Sequence, residues 1–425
     1  MITCFLIGNG PIAVQAAEVI LHAGYILCGT YSFDDSLLLW SKEQGVKYYI
    51  DLEDINSSLK SSPYDCLFSI NNPWIIPADI ISCARRHTIN YHDSLLPKYS
   101  GLYASSWALI KGEEVHGLSF HEVVETIDAG DIYQQATINI SNNDTAISLN
   151  ARIHKVAIES FADLLNKISN NALQPIIQDK SQRSYYSNTD RPEAACVLSV
   201  NKTAIELHNL VRGLTFGQSN NPLGLPKLLL PHKLITIGQL NITDGDGIPG
   251  EVIDVENNYL KIAVADAVVE LKGIRTVFGH SVTAQQLQEW GANKGRILSG
   301  LTTVERFAIT QYNRLVCVHE SKWVSRLIHL NPFVHPYCKA SGGLSLPSSN
   351  VVEFSPPEDF GFNKNEWITV FVIYCLRLSQ EKSIQLGLAV IDIPDKAHEI
   401  FAGVVPLSIS IDGIDEPVLF EDMKS

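Results

Sequence analysis

Between residues 2 and 167, short apolar runs of strand length alternate with stretches whose apolar positions recur at helical spacing. The runs at 2–7, 25–30, 46–50, 66–70, 88–92, 118–123 and 132–138 read as strands. Residues 13–22, 37–44, 76–86, 103–111 and 146–167 read as helices. Strand and helix signals that alternate in this way predict an α/β fold with a mostly parallel sheet and helices on both faces.

The pattern breaks at a polar stretch, residues 179–193, which reads as a linker. One helix follows at 203–212, and residues 228–277 are then strand-rich, with turn signals at 247–250 and 257–258. This predicts a small antiparallel β domain or barrel ending near residue 300. A third α/β segment opens at Thr302-Thr303-Val304-Glu305, the S/T-x-x-E pattern of a helix capping box. It carries loop-like stretches at 341–350 and 355–361 and strand-like runs at 367–373 and 404–411. The expected domains are therefore 1–190, 191–300 and 301–425.

Charge narrows the possibilities. Forty-six acidic against 32 basic residues give a net charge of −14, the wrong sign for bulk attraction to a phosphate backbone. The eight cysteines include no CxxC pair, so zinc-ligand spacing is absent and no metal is expected. The first residues lack the basic region and cleavage site of a signal peptide, and no apolar run reaches the ~18 residues of a membrane span. A reducing cytoplasm is the expected setting.

Two features could carry chemistry. Gly8-Asn9-Gly10-Pro11-Ile12-Ala13 follows the first strand and opens a helix, a Rossmann-like GxGxxA turn with Asp34 and Asp35 as candidate ribose ligands. Any doubly wound sheet also needs small residues at that turn. The second feature is Ile89-Asn90-Tyr91-His92, followed by Asp93-Ser94-Leu95-Leu96-Pro97 and a loop reaching Gly101. Side chains at i and i+2 of a strand share a face, so Asn90 and His92 stand side by side where open α/β sheets bind ligands. Asp128, within Ile127-Asp128-Ala129-Gly130-Asp131, adds a carboxylate in a turn. An amide donor, an imidazole and a carboxylate suffice for acyl transfer to an amine: two stabilise an oxyanion and the third manages the proton. A lone strand histidine is more often a satisfied core residue, and Asp-Ala-Gly-Asp is also good turn chemistry.

These residues, with His116-Gly117-Leu118-Ser119-Phe120-His121 between them, resemble the formyltransferase family that uses 10-formyltetrahydrofolate. The family includes methionyl-tRNA, glycinamide ribonucleotide and sugar N-formyltransferases. The resemblance spans residues 2–178 and implies that Asn90, His92 and Asp128 are catalytic. It implies that Asn71, Trp74, Ile75, Ile76 and Val124 contact the folate, and that Ser94, Leu95, Leu96 and Pro97 form the substrate loop. Ala204-Ile205-Glu206-Leu207-His208-Asn209-Leu210-Val211-Arg212-Gly213 resembles the start of the C-terminal domain of methionyl-tRNA formyltransferases. Lys98-Tyr99-Ser100-Gly101 departs from the arginine that translation enzymes carry before this glycine, which argues against a tRNA acceptor.

Leu301–Glu305 and His319–Leu327 resemble the opening of condensation-like regions of nonribosomal peptide synthetases, and Phe401–Leu407 a later segment of one. No two histidines are adjacent in the chain, so the condensation motif His-His-x-x-x-Asp-Gly is absent. The segment is then either a shortened non-catalytic relative, part of a longer synthetase, or an unrelated α/β appendage. The implied activity is formyl transfer to a primary amine, with an aminoacyl carrier protein as possible partner and aminoacyl-tRNA or an amino sugar as alternative acceptors. An NAD-binding oxidoreductase and a non-catalytic docking module are readings of another class.

Overall fold

The computed structural model describes residues 1–51, 55, 63–217, 221–328, 364–379, 383–389, 393–394 and 396–410. The chain divides into two compact units, Met1–Leu315 and Val316–Ser425.

In the first unit, β1 (Thr3–Gly8) alternates Cys4 and Leu6 on one face with Phe5 and Ile7 on the other, all buried. A strand buried on both faces reads as an unbroken apolar run, as this one does. Cys4 and Leu6 join a core cluster with Ala13, Ala16 and Ile20 of α1 (Gly10–His22) and with Leu149, Ile153 and Phe161 of the long helix Ala146–Ser169. Phe5 and Ile7 join a second cluster with Tyr31, Leu67 and Ile80. Layers on both sides of the sheet follow directly.

The other strands of this sheet are β2 (Ile26–Tyr31), β3 (Tyr48–Tyr49), β4 (Tyr64–Ile70), β5 (Ala84–His92), β7 (Val115–Glu122) and β8 (Ile132–Asn139). Their order is β3-β2-β1-β4-β5-β7-β8. The first five run parallel, and β7 and β8 add antiparallel. The mostly parallel α/β sheet read from the sequence is therefore present. Strand order reverses between β1 and β4, which opens the crevice at their C-terminal ends.

Two helical or strand-like readings change. Residues 76–86, expected as one helix, contain only a short helix, Ala78–Ile81, after which β5 begins at Ala84 and pairs with Tyr64 of β4. Sheet pairing overrides local propensity there. The run at 367–373, expected as a strand, lies inside the helix Lys364–Ser379 of the second unit. Its β-branched residues mimic a strand, but burial at Thr369, Val372, Cys375 and Leu376 follows helical spacing. In the same unit Val404–Ser410 is a strand, as expected, paired antiparallel with Ser383–Ala389. The loop-like stretches at 341–350 and 355–361 lie outside the described residues.

The helix Ala204–Leu214 starts with a capping box between Thr203 and Glu206. It leads into two antiparallel sheets, β10 (Lys227–Leu230), β11 (Lys233–Thr236) and β16 (Arg275–Thr276), and β12 (Gln239–Thr243), β15 (Val268–Lys272), β14 (Tyr259–Ala263) and β13 (Val252–Glu256). Leu228, Ile235, Leu240, Val252, Leu260 and Leu271 from both sheets share one core. The capping box at Thr302 also forms, with Glu305 accepting from the Thr302 N–H at 2.7 Å.

Residues 179–193, expected as a linker, fold back on the half that holds the mostly parallel sheet. Tyr185–Tyr186 (β9) pairs with Ser100–Gly101 (β6), and the Ser100 and Leu102 N–H groups donate to the carbonyls of Ser184 and Tyr186 at 2.9 Å. Gly101 has φ +95°, and a Cβ there would lie 2.1 Å from the Tyr186 carbonyl oxygen, so only glycine fits beneath this crossing.

Candidate active site

Asn90 and His92 end β5 and, as strand alternation requires, share a face. Opposite them in the antiparallel register stand His121 and Ser119 of β7, and directly paired residues put their side chains on the same face. The turn after β7 carries Asp128, in the left-handed region at φ +52°. Asp and Asn tolerate that conformation better than other non-glycine residues.

These residues converge. The Asp128 carboxylate lies between two imidazoles, with Oδ2 3.6 Å from His92 Nδ1 and Oδ1 3.4 Å from His121 Nε2. Gly101 N–H donates to Oδ2 at 2.8 Å. Burial works to raise the Asp128 pKa, but the two imidazoles and the Gly101 N–H outweigh it and hold the carboxyl well below the ordinary range. Asp128 is therefore an anion at any physiological pH.

Hydrogen bonding decides which atoms remain available. His92 Nε2 is 2.8 Å from the Tyr99 carbonyl oxygen, which can only accept, so Nε2 carries a proton. The other nitrogen, Nδ1, faces Asp128 beyond hydrogen-bond range, near enough to feel its charge and free to engage a further atom. Asn90 Oδ1 accepts from Ser69 Oγ at 2.7 Å, which fixes the amide so that Nδ2 meets His121 Nε2 at 3.1 Å. That bond uses one of two N–H groups. His121 Nδ1 is 2.8 Å from the Glu122 carbonyl oxygen and carries a proton by the same logic. The cluster thus brings together an amide N–H, an imidazole nitrogen and a carboxylate.

Such a set can stabilise a developing oxyanion and move a proton beside it. Residues 53–165 match the family described as formyl transferase. The chain carries a formyltransferase domain.

Known relatives agree. The methionyl-tRNA formyltransferase of Clostridium novyi (strain NT) is 29% identical over 219 residues, which cover 51% of this chain and 68% of that protein. The crystal structure of WlaRD, a sugar 3N-formyl transferase in the presence of dTDP and 5-N-formyl-THF, superposes with a TM-score of 0.53 at 25% identity. That match covers 64% of this chain and 97% of WlaRD. An N-formyltransferase from Helicobacter canadensis, in complex with folinic acid and dTDP-3-aminofucose, shares the fold with a TM-score of 0.53 at 21% identity. It is covered in full, by 65% of this chain.

The remaining expected site residues occupy two places. In the loop expected to bind substrate, Ser94 is buried and its Oγ donates to the Lys98 carbonyl at 2.7 Å. The Leu96 N–H donates to Ser119 Oγ, whose hydroxyl donates to the Ser94 carbonyl at 2.6 Å. Leu95 packs toward Gly117, and Pro97 offers its carbonyl to the Ser184 N–H. Along the loop expected to hold folate, Asn71 exchanges hydrogen bonds with Asn9, while Trp74 is 57% exposed and its ring centroid lies 4.6 Å from that of Phe33. Ile75 and Val124 are exposed, and Ile76 packs against the cluster that holds Ile80.

The glycine turn is closed from within. Asp34 accepts from the Gly10 N–H with one oxygen and from the Ser36 N–H, at 2.8 Å, with the other, capping the helix Asp35–Gln44. Asn9 Oδ1 accepts from the Phe33 N–H at 2.9 Å. A carboxylate of the chain itself sits where a pyrophosphate would meet the turn, and Asp34 is not open to a ribose.

Sequence reasoning quoted His121 within a motif without giving it a role. The signal that would have found it is the pairing of β5 with β7, which sets His121 against Asn90. Among the described residues, no group of three or more His, Cys, Asp or Glu side chains is arranged to hold a metal ion, and no helix is long and apolar enough to cross a membrane.

Proposed function

We propose that this enzyme moves a formyl group from 10-formyltetrahydrofolate to a primary amine, with Asn90, His92 and Asp128 as its catalytic residues. The observation that carries the reading is the Asp128 carboxylate set between His92 and His121, beside an Asn90 amide with an N–H to spare. The amine nitrogen attacks the formyl carbon. Asn90 Nδ2 donates to the oxygen that gains charge, and the His92 imidazole stands beside it, donating from Nδ1 when that nitrogen carries a proton. The proton released by the amine passes to Asp128, directly or through water. Collapse breaks the bond to N10 of the folate, which takes up a proton, leaving tetrahydrofolate and the formylated amine. The bound formyl- and folinic-acid ligands of the structural relatives support a folate donor. Asn71, Trp74, Ile75, Ile76 and Val124 would hold it.

The acceptor we put forward is the α-amino group of an aminoacyl thioester on a carrier protein. An α-amino group, with pKa ~7.7–8.0, supplies neutral nucleophile at physiological pH, whereas a lysine at ~10.4 does not. The net charge of −14 and the absence of arginine in Lys98–Gly101 weigh against tRNA. Incubation with 10-formyltetrahydrofolate and a panel of amines, followed by mass spectrometry, tests both levels. The panel comprises carrier-loaded amino acids, aminoacyl-tRNA and nucleotide-linked amino sugars. A gain of one formyl group on the carrier-bound amine is expected. Formylation of only the tRNA or sugar would replace the acceptor, and no formylation of any amine would overturn the activity.

A further inference from the structure

The left-handed turn at Asp128 is held by a side chain from outside it. Gln178 is buried, and its single amide nitrogen donates to two carbonyl oxygens, Asp128 O at 2.9 Å and Gly130 O at 2.6 Å. These flank Ala129, so one NH2 group bridges the turn across its two ends. The amide orientation is not in doubt, because the reverse would press Oε1 against both carbonyl oxygens. Oε1 is itself buried with no hydrogen-bond partner among the described residues. Leaving such an atom unmet is costly, and the bridge must offset that cost.

Gln178 is in turn fixed by the chain around it. Ile176, two residues earlier, forms a reciprocal backbone pair with Ile132 at the start of β8, each N–H···O distance being 2.8 Å. Five residues later, Arg183 donates to the Ile127 carbonyl at 2.9 Å, and Ser184 and Tyr186 bind the loop that contains Gly101. The same short segment therefore grips the backbone on both sides of the Gly101 N–H···Asp128 contact. A non-glycine residue in the left-handed region persists where its surroundings over-determine it.

We infer that Gln178 is a positioning residue that sets the Asp128 carboxylate between His92 and His121 by bridging the backbone of its turn. It touches no reacting atom and acts through Asp128. The inference rests on the catalytic role proposed for Asp128, and its test includes a reading that does not need turnover.

Gln178→Met keeps the length of the side chain and removes both donors. A displacement of about 1 Å at a reacting group costs on the order of 100-fold, so kcat is expected to fall about 10- to 100-fold, with KM for the folate donor within about threefold of wild type. If Gln178→Met does not fold, Gln178→Asn, one methylene shorter, reaches only one carbonyl and should show a smaller loss of the same kind. Because the effect runs through Asp128, Gln178→Met combined with Asp128→Asn should be no slower than Asp128→Asn alone. Independently, carboxyl NMR of wild type should show Asp128 titrating well below the ordinary range, where His92 of β5, His121 of β7 and the Gly101 N–H hold it. The midpoint should rise in Gln178→Met. Wild-type kcat in the variant, multiplied losses in the double variant, or an unmoved Asp128 midpoint would each overturn the inference. If wild type formylates no amine, the proposed activity fails, while the titration still decides the role of Gln178.

Discussion

Two polar features sit at the C-terminal ends of β1 and β5, two strands of one sheet with β4 between them, and they differ in what they leave unmet. At the Gly8–Gly10 turn, every polar group described above is already partnered: Gly10 N–H with Asp34, Asn9 with Phe33 and Asn71. At the end of β5, Asp128 faces two imidazoles without a short hydrogen bond to either, and Asn90 keeps an N–H in hand. A motif marks where a site could form. Unmet hydrogen-bonding capacity gathered in one cluster is what a site needs in addition.

Breaking the open cluster should have the largest effect. His92→Ala should lower kcat on the order of 10²–10³, the usual loss for one oxyanion donor, with donor affinity kept. Steady-state kinetics with a folate-binding titration checks this, and unchanged kcat would remove His92 from the mechanism. His121→Ala removes the second imidazole beside Asp128 and should cost about tenfold, at the low end of a positioned group's contribution. A loss as large as that of His92 would promote His121 to an equal partner.

The closed turn should respond in the opposite way. Asp34→Ala should leave formyl transfer within about twofold and lower stability by ~1 kcal/mol through the lost helix cap, as read by urea unfolding. NAD should not raise the melting temperature of wild type. A ligand at ~100 times its dissociation constant adds about 2.7 kcal/mol, so a clear shift would reopen the dinucleotide reading.

The smallest effect is one of pH. Burial pushes the His116 pKa down against the opposing pull of Asp93, and its Nε2 has no partner among the described residues. Between its folded midpoint and the ordinary ~6.5, the unfolded chain binds a proton that the native state does not. Stability therefore rises with pH through that window and is lost as pH falls below ~6.5. His116→Gln should flatten this slope between pH 5.5 and 7.5, and an unchanged slope would assign it elsewhere.

Much of the site was legible because strand alternation is local. Asn90 and His92 sit at i and i+2, and Asp128 lies in a stretch whose composition announces a turn. His121 and Gln178 were not, since their roles depend on strand register and on a chain segment returning from a distance. Residues 179–193 read as a linker for the same reason: their polar groups are met by the loops they cross, and that partnership has no sequence period. The helix Lys364–Ser379 was misread because a β-branched run has the same composition in a buried helix as in a strand.

The most direct test is a single-turnover comparison of wild type with Asp128→Asn, which keeps size and shape and removes the charge between the imidazoles. With saturating 10-formyltetrahydrofolate and an amine that wild type formylates, the expected result is a rate lower by about 100-fold or more, with the folate still bound. A rate equal to wild type would mean that the carboxylate only shapes its turn, and the account of the site would be wrong.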